Sequence, residues 1–105
     1  IHVAAILNGK VIGTGRAHFN SEKEAQIRYM AVEEEHRGQG VGSLVLEELE
    51  RKIEGLGGDR VIVKSREAAF WFYDRHGYNV VSRIDHISEL PPHFLMKKYF
   101  RGLVA

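Results

Sequence analysis

The sequence predicts an α/β (α+β) domain in which a mixed, mostly antiparallel sheet carries two helices, in the order βββ-α-β-α-ββ. Two observations predict this class. Asn8-Gly9 separates two strand-like runs, residues 2–7 and 10–19, and this dipeptide is typical of a tight hairpin because both residues tolerate positive φ. A helical repeat then lies between two further strand-like runs, 25–32 and 60–64, so we expect a right-handed crossover that makes those two strands parallel.

Glycines and apolar spacing define the elements up to the first helix. Gly13 and Gly15 interrupt the second strand, where glycine indicates a bulge or the close approach of another segment. The first helix is predicted over residues 41–56, because apolar residues recur at spacings of three or four: Val41, Val45, Leu49, Ile53 and Leu56. Gly57-Gly58 is predicted to end this helix.

The second half of the chain is interpreted in the same way. Ser65 is predicted to cap a second helix over residues 66–76, which Gly77 would end. Two final strands are predicted over residues 78–87 and 93–101, on either side of Leu90-Pro91-Pro92.

The composition favours one globular domain over residues 1–105 and excludes several functions. The chain is 44% hydrophobic and 28% charged, with 15 basic and 14 acidic residues and a net charge of +1. This balance argues against nucleic acid as a partner, and no apolar run approaches the roughly 20 residues of a membrane span. The chain has no cysteine, and its histidines lack the i, i+4 spacing of a metal-binding helix. We therefore expect no metal and a cytoplasmic protein.

The most informative motif is the run Arg37-Gly38-Gln39-Gly40-Val41-Gly42, which joins a predicted strand to the first helix. Alternate glycines let the backbone approach a ligand closely, and the free N–H groups at a helix start favour an anion, most often phosphate. The run lacks the Gly-Lys-Ser/Thr of a Walker loop and the glycine spacing of a Rossmann fingerprint. A glycine turn that serves only strand-to-helix packing is the alternative.

With its flanks, this run resembles the cofactor loop of the GNAT superfamily of N-acetyltransferases, whose signature is Q/R-x-x-G-x-G/A. Met30-Ala31-Val32 is similar to the family's fourth strand, and residues 72–78 are similar to its F-Y-x-x-x-G-F/Y motif. Residues 90–96 are similar to the I-P-H-x-x-M ending of some members. In the family a strand and two helices precede the hairpin, so the resemblance implies a domain that is N-terminally incomplete in this chain.

The resemblance implies acetyl-CoA as the co-substrate and an amine as the acceptor, with direct attack in a ternary complex. The pyrophosphate would lie on the glycine loop and the pantetheine arm beside the fourth-strand residues. A backbone N–H near Ala31 or Val32 would polarise the thioester carbonyl. The cofactor-binding residues that it implies are Met30, Ala31, Val32, Arg37, Gly38, Gln39, Gly40, Val41, Gly42, Ser43 and Phe72. Arg66 departs from the family, many members of which carry Asn at the start of the second helix; it is predicted to reach a CoA phosphate, with a solvated charge as the alternative.

The resemblance also implies that Tyr73 donates a proton to the departing CoA thiolate. A model thiol has a pKa of about 8.5 and tyrosine one of about 10. An aromatic core role for Tyr73 is the alternative. The position that matches the base of some members is Gln26, which cannot take a proton. Glu24 and His18 are the candidate bases, with His93 and a water relay as further alternatives.

Two other functions stay open on the sequence. A domain with an intact loop but half of the acceptor pocket would be a catalytically weak acyl-CoA-binding or interaction domain. An unrelated phosphate or nucleotide binder is the second alternative. The sheet edge left without its first strand predicts pairing into a homodimer. Whether the acceptor amine belongs to a small molecule or to a peptide is not encoded in any motif of the chain.

Overall fold

A single six-stranded sheet organises the molecule, for which a computed structural model describes residues 1–85 and 91–100. The strand order across the sheet is β1-β2-β3-β4-β6-β5. The strands are β1 (His2–Leu7), β2 (Lys10–Phe19), β3 (Glu24–Val32), β4 (Arg60–Arg66), β5 (Asn79–Ile84) and β6 (His93–Tyr99). The β3–β4 pair is parallel, and the other pairings of the described strands are antiparallel. The predicted order and fold class are confirmed.

Helix α1 (Val41–Gly55) crosses from β3 to β4 and packs its apolar side on the sheet. Glycines in β2 allow the helix to come close. A Cβ at Gly13 would lie 2.6 Å from Val41 Cγ1, and one at Gly15 would lie 2.7 Å from Val45 Cγ1. The predicted close approach at these glycines is therefore confirmed. Gly57, at φ +96°, follows the helix end as predicted.

Strands β3 and β4 pair over only part of their length. Their register runs from Glu24↔Arg60 to Ile27↔Val63, and no pairing between them follows within the described strands. On its other side β3 carries a bulge, since Tyr29 pairs with Arg16 and Ile27 with Ala17. The sheet therefore opens between β3 and β4, at the same level of β3 as the bulge toward β2. We call the resulting gap, between residues 28–32 and residues 64–66, the notch.

The predicted cap and start of the second helix were wrong. Strand β4 continues to Arg66 because its last residues pair with β6, Ser65 with Phe94 and Arg66 with His93. The Ser65 hydroxyl donates to the carbonyl of Arg66 at 2.8 Å and does not cap a helix. A 3-10 turn over residues 67–69 follows, and helix α2 spans only Phe70–Arg75. Gly77, at φ +90°, ends it as predicted.

Both helices lie on one face of the sheet. The start of α1 touches α2, since a Cβ at Gly42 would lie 3.2 Å from Phe72 Cε1. At the other end of the helical layer, the Tyr78 hydroxyl donates to Glu50 of α1 at 2.7 Å. No helix of the described residues packs against the opposite face, and neither α1 nor α2 is long and apolar enough to cross a membrane.

The predicted ends of the last two strands lie partly outside the described residues. The structure gives β5 as Asn79–Ile84 and β6 as His93–Tyr99, inside the predicted 78–87 and 93–101. Residues 86–87 and 101 of those predictions, and Leu90 of the tail motif, are not among the described residues.

Candidate functional site

A cleft of about 1040 Å³ follows the notch. Its floor is the unpaired end of β3 and β4, and its walls are the start of α1, the loop before it and α2. The predicted cofactor residues on its surface are Met30, Ala31, Val32, Arg37, Gly38, Gly40, Val41, Gly42, Ser43, Arg66 and Phe72. Gln39 lies in the same loop but does not line the cleft. Tertiary structure thus brings together residues that the sequence spreads over four elements and the loop before α1.

The glycine loop exposes an unbroken run of backbone donors. Gly38 and Gly40 have φ of +78° and +83°, a conformation that residues other than glycine rarely adopt. The first amide of this region with a backbone acceptor is that of Leu44, which donates to the Gly40 carbonyl at 3.1 Å. The N–H groups of residues 38–43 therefore donate to no carbonyl of the described chain. Six neighbouring donors at the positive end of a helix form a site for an anion.

Gly42 has a packing role that the sequence prediction did not include. Its missing side chain leaves room for the Phe72 ring and for Val32 Cγ2, which would lie 3.2 Å and 3.7 Å from a Cβ. Phe72 is fixed in turn by Tyr73, whose ring stands edge-on at 5.1 Å between centroids. Gly42 thus joins α1 to α2, whereas Gly38 and Gly40 shape the loop.

The edge of β3 that faces the notch presents backbone groups of defined residues. The amide of Glu33 donates to Ile12 of β2 at 2.8 Å, and neighbouring residues of a strand direct their N–H groups to opposite sides. Val32 and Met30 therefore direct theirs toward the notch, and Ala31 directs its own toward β2. Of the two residues predicted to polarise a carbonyl, the register favours Val32.

Tyr73 lines the cleft and is almost fully buried. Its side chain is 5% exposed, and its ring packs against Tyr78 at 5.4 Å between centroids. The Tyr73 hydroxyl has no hydrogen-bond partner among the described residues, although Tyr73 lines the cleft. Burial raises the pKa of Tyr73 to about 12, and the Arg66 guanidinium acts in the opposite direction. Tyr73 is therefore a protonated donor with a free hydroxyl at any pH near neutrality.

Arg37 and Arg66 reach different parts of the cleft. The Nε of Arg37 donates to the Val32 carbonyl at 3.4 Å, so this side chain folds back to the end of β3. Arg66 is exposed at the end of β4, and its charge acts on Tyr73. Arg37 thus links the loop to the notch, and Arg66 puts positive charge beside the phenol.

The structure does not place the candidate bases on the cleft. Glu24 lies at the opposite end of β3, where its Oε1 is 3.2 Å from Arg60 Nε and 3.6 Å from Lys97 Nζ. His18 is exposed on β2, and its Nε2 lies 2.8 Å from Asn20 Oδ1. Asn20 in turn donates to the Oε1 of the buried Gln26 at 3.0 Å. None of these four side chains lines the cleft, and neither does His93.

Sequence reasoning missed the charge of the cleft. Its basic side chains are Arg28, His36, Arg37, Lys64, Arg66, Arg75 and His76. No Asp or Glu of the described residues lines it, although the whole chain is almost neutral. The sequence feature that indicates this charge is an arginine at position 28 and a lysine at position 64, each inside a strand that is otherwise largely apolar. Within residues 1–85 and 91–100, no group of three or more His, Asp or Glu side chains could hold a metal ion.

Comparison with known proteins agrees with the geometry. The model of the acetyltransferase (GNAT) family matches residues 1–78. An uncharacterized N-acetyltransferase of Bacillus subtilis, YjcF, is 28% identical over 97 residues, which cover 92% of this chain and 69% of that protein. An uncharacterized N-acetyltransferase of Chlorobaculum tepidum, CT2212, is 35% identical over 75 residues, or 71% of this chain and 47% of that protein. The chain thus spans about half to two thirds of the length of these relatives.

A solved structure shares the fold. The GNAT acetyltransferase of Elizabethkingia anophelis, crystallised with acetyl-CoA bound, superposes with a TM-score of 0.85 at 14% identity. The match covers 94% of this chain and 75% of that one. Together these findings confirm the predicted family and fold class. At the level of the family, the sequence matches also confirm the predicted enzyme class, an N-acetyltransferase.

Proposed function

Because this chain belongs to the acetyltransferase (GNAT) family, we propose that it binds acetyl-CoA along the notch and transfers the acetyl group to an amine. One observation carries the proposal. The six unpaired N–H groups of residues 38–43 end a cleft that begins where β3 and β4 part. A ligand with a diphosphate at one end and an extended arm at the other matches this shape. Acetyl-CoA is such a ligand.

The donor would be held mainly by backbone. Its pyrophosphate would accept hydrogen bonds from the N–H groups of the glycine loop, which also lie at the positive end of the α1 dipole. Its pantetheine arm would run beside Met30 and Val32, which direct backbone groups into the notch. The carbonyl of the thioester would then accept a hydrogen bond from this edge of β3, and the bond would strengthen as negative charge develops on the oxygen.

Tyr73 would stabilise the leaving group. The amine nitrogen attacks the thioester carbon, the C–S bond breaks, and its electron pair stays on sulfur, while the nitrogen releases to water the proton that the amide does not keep. Because the pKa of Tyr73 is about 12, full transfer of its proton to a thiolate of pKa about 8.5 would cost about 5 kcal/mol. Tyr73 would therefore act as a hydrogen-bond donor to the sulfur, and the positive charge of Arg66 would add to that stabilisation.

We propose that water takes up the proton of the substrate amine. An amine of pKa about 10.4 must lose a proton before it attacks, at a cost of about 4.6 kcal/mol at pH 7. No carboxylate of the described residues lines the cleft, and the match to the family's glutamate is Gln26. Glu24 and His18 stay predictions, which substitution by Gln and by Asn would test through the pH dependence of kcat/KM.

Thermal unfolding with acetyl-CoA and with ATP tests the donor site. A ligand at 100 times its Kd stabilises the folded state by about 2.7 kcal/mol. We expect acetyl-CoA to raise the Tm and ATP at the same concentration to raise it less. A response to ATP alone would favour a nucleotide binder and overturn the proposal.

Release of free thiol from acetyl-CoA in the presence of amines tests the transfer. We expect amine-dependent release by the wild-type chain. Binding of acetyl-CoA without release by any amine would favour the alternative of an acyl-CoA-binding domain.

A further inference from the structure

The apex of the notch carries two cations whose partner the described structure does not supply. Arg28 and Lys64 line the cleft, are exposed, and form no ion pair with a described residue. We propose that they bind an anionic group of the acceptor, so that the substrate is an amine bearing a carboxylate or a phosphate. This inference rests on the proposed function and names the class of its acceptor.

Strand register places the two cations together. The parallel pairing of β3 and β4 ends at Ile27↔Val63, so Arg28 and Lys64 are the next residues on either side of the opening. Val63 is buried beneath the helices, and alternation along β4 therefore puts Lys64 on the opposite face. Arg28 is the additional residue at the bulge of β3 and is exposed. Two flexible cations thus lie at the inner end of the notch, beyond the edge of β3 at Met30 and Val32 where the thioester carbonyl would bind.

The basic residues at the joined end of β3 and β4 are neutralised, whereas Arg28 and Lys64, like Arg66 at the end of β4, have no ion pair with a described residue. Arg60, four residues before Lys64, lies 2.7 Å from Asp59 and 3.2 Å from Glu24. Lys97 lies 3.6 Å from the same Glu24. Within the described residues the sheet therefore pairs its cations where β3 and β4 are joined and leaves them unpaired where the strands part.

The donor's phosphates lie too far away to be the intended partners. Residue 28 is four positions from Val32, which corresponds to about 13 Å along a strand. Arg37, which belongs to the glycine loop, is hydrogen-bonded to the Val32 carbonyl. The pyrophosphate site therefore has its own donors at the far end of the notch, and Arg28 and Lys64 face the acceptor end.

Two cations at the acceptor end would select substrates by charge. A carboxylate or phosphate placed between them gains charge-assisted hydrogen bonds, which fix the distance of its amine from the thioester. A polyamine would instead bring a second ammonium toward two like charges. We therefore expect the anionic group to determine the KM of the acceptor and to leave the KM of acetyl-CoA unchanged.

The test compares four primary amines in the thiol-release assay: β-alanine, O-phosphoethanolamine, β-alaninamide and putrescine. We expect the two anionic amines to exceed the neutral amide in kcat/KM by about 10-fold or more, the value of one charged hydrogen bond. Putrescine should be the poorest. The order of β-alanine and O-phosphoethanolamine distinguishes a carboxylate from a phosphate as the preferred anion.

Variants assign the effect to the two cations. Arg28→Gln and Lys64→Gln should each raise the KM for the preferred anionic amine about 10-fold and change the KM for β-alaninamide by less. Lys23→Gln is the matched control, since Lys23 is exposed, unpaired in the described structure and outside the cleft. Its constants should equal those of the wild type, and thermal unfolding verifies that each variant folds.

Failure of this inference differs from failure of the proposed function. Equal kcat/KM for β-alanine, O-phosphoethanolamine and β-alaninamide overturns the inference and leaves acetyl transfer standing. A rise in the KM of acetyl-CoA in Arg28→Gln also overturns it, because the cation would then serve the donor. If no amine releases thiol, the proposed function fails. Calorimetry of β-alanine binding to the CoA-loaded protein then decides the inference, and absence of binding overturns it.

Discussion

Substitution of Gly40 separates the role of the glycine loop in folding from its role in binding. Gly40 has φ +83°, and a Cβ there would meet no protein atom within 4 Å. Gly57, at φ +96°, has the same free space and lies just beyond the other end of α1. Gly40 lines the cleft, and Gly57 does not. Alanine at either position is therefore strained by a positive φ and free of clashes, but only alanine at position 40 lies in the cleft.

Both variants should lose similar stability. A left-handed alanine costs about 1–2 kcal/mol, and each kcal/mol lowers the Tm of a domain of this size by about 4–8 °C. Only Gly40→Ala puts a methyl group beside the N–H groups that would hold the pyrophosphate. Loss of one hydrogen bond to a charged group, about 1.5–3 kcal/mol, would weaken binding of CoA roughly 10- to 100-fold.

Isothermal titration of CoA into the three proteins measures this difference at a temperature where all are folded. We expect the Kd of Gly57→Ala to equal that of the wild type and the Kd of Gly40→Ala to rise. Equal Kd values for the two variants would refute the reasoning, because the loop amides would then not contact the ligand.

Three further predictions concern catalysis, stability and assembly. Tyr73→Phe should lower kcat about 10- to 100-fold with an unchanged Kd for CoA. Tyr78→Phe is the control. It removes a hydroxyl that is hydrogen-bonded to Glu50 away from the cleft, and it should leave kcat unchanged. Burial raises the pKa of Tyr73 to about 12 in the folded state. The contribution of its neutral phenol to folding stability is therefore complete below about pH 10 and is lost as the pH rises through 12. In urea unfolding, the free energy of unfolding of the wild type should therefore fall by about 2–3 kcal/mol more than that of Tyr73→Phe between pH 9.5 and 12. Equal decreases for the two proteins would contradict the burial of the phenol. The edge strand β1 exposes Ile6 by 65% and Leu7 by 48%, which favours the predicted homodimer; size-exclusion chromatography of Ile6→Lys should then give the monomer, and a monomeric wild type would exclude this interface.

Local features of the sequence were sufficient for the elements and for the loop. Asn8-Gly9 makes a hairpin and the apolar spacing of residues 41–56 makes a helix because neighbouring residues alone determine those conformations. The same holds for Gly38 and Gly40, whose positive φ belongs to the loop itself. Ser65 shows where the local sequence does not suffice to predict the conformation. Its chemistry suits a helix cap, but pairing with Phe94 keeps it in a strand, and a cross-strand partner about thirty residues away is invisible in the local pattern.

By itself, the sequence determined the family, the order of elements and the anion-binding loop, since each depends on residues that are close along the chain. Only tertiary structure decided the composition of the cleft. The parallel register of β3 and β4 brings Arg28 next to Lys64, thirty-six residues further on. The cleft therefore has basic side chains and no described carboxylate, although the whole chain is nearly neutral. The same register draws Glu24 into an ion pair with Arg60, away from the notch. Which charged side chains are paired and which line the cleft depends on contacts between strands that are distant in sequence, and such contacts form only in the folded chain.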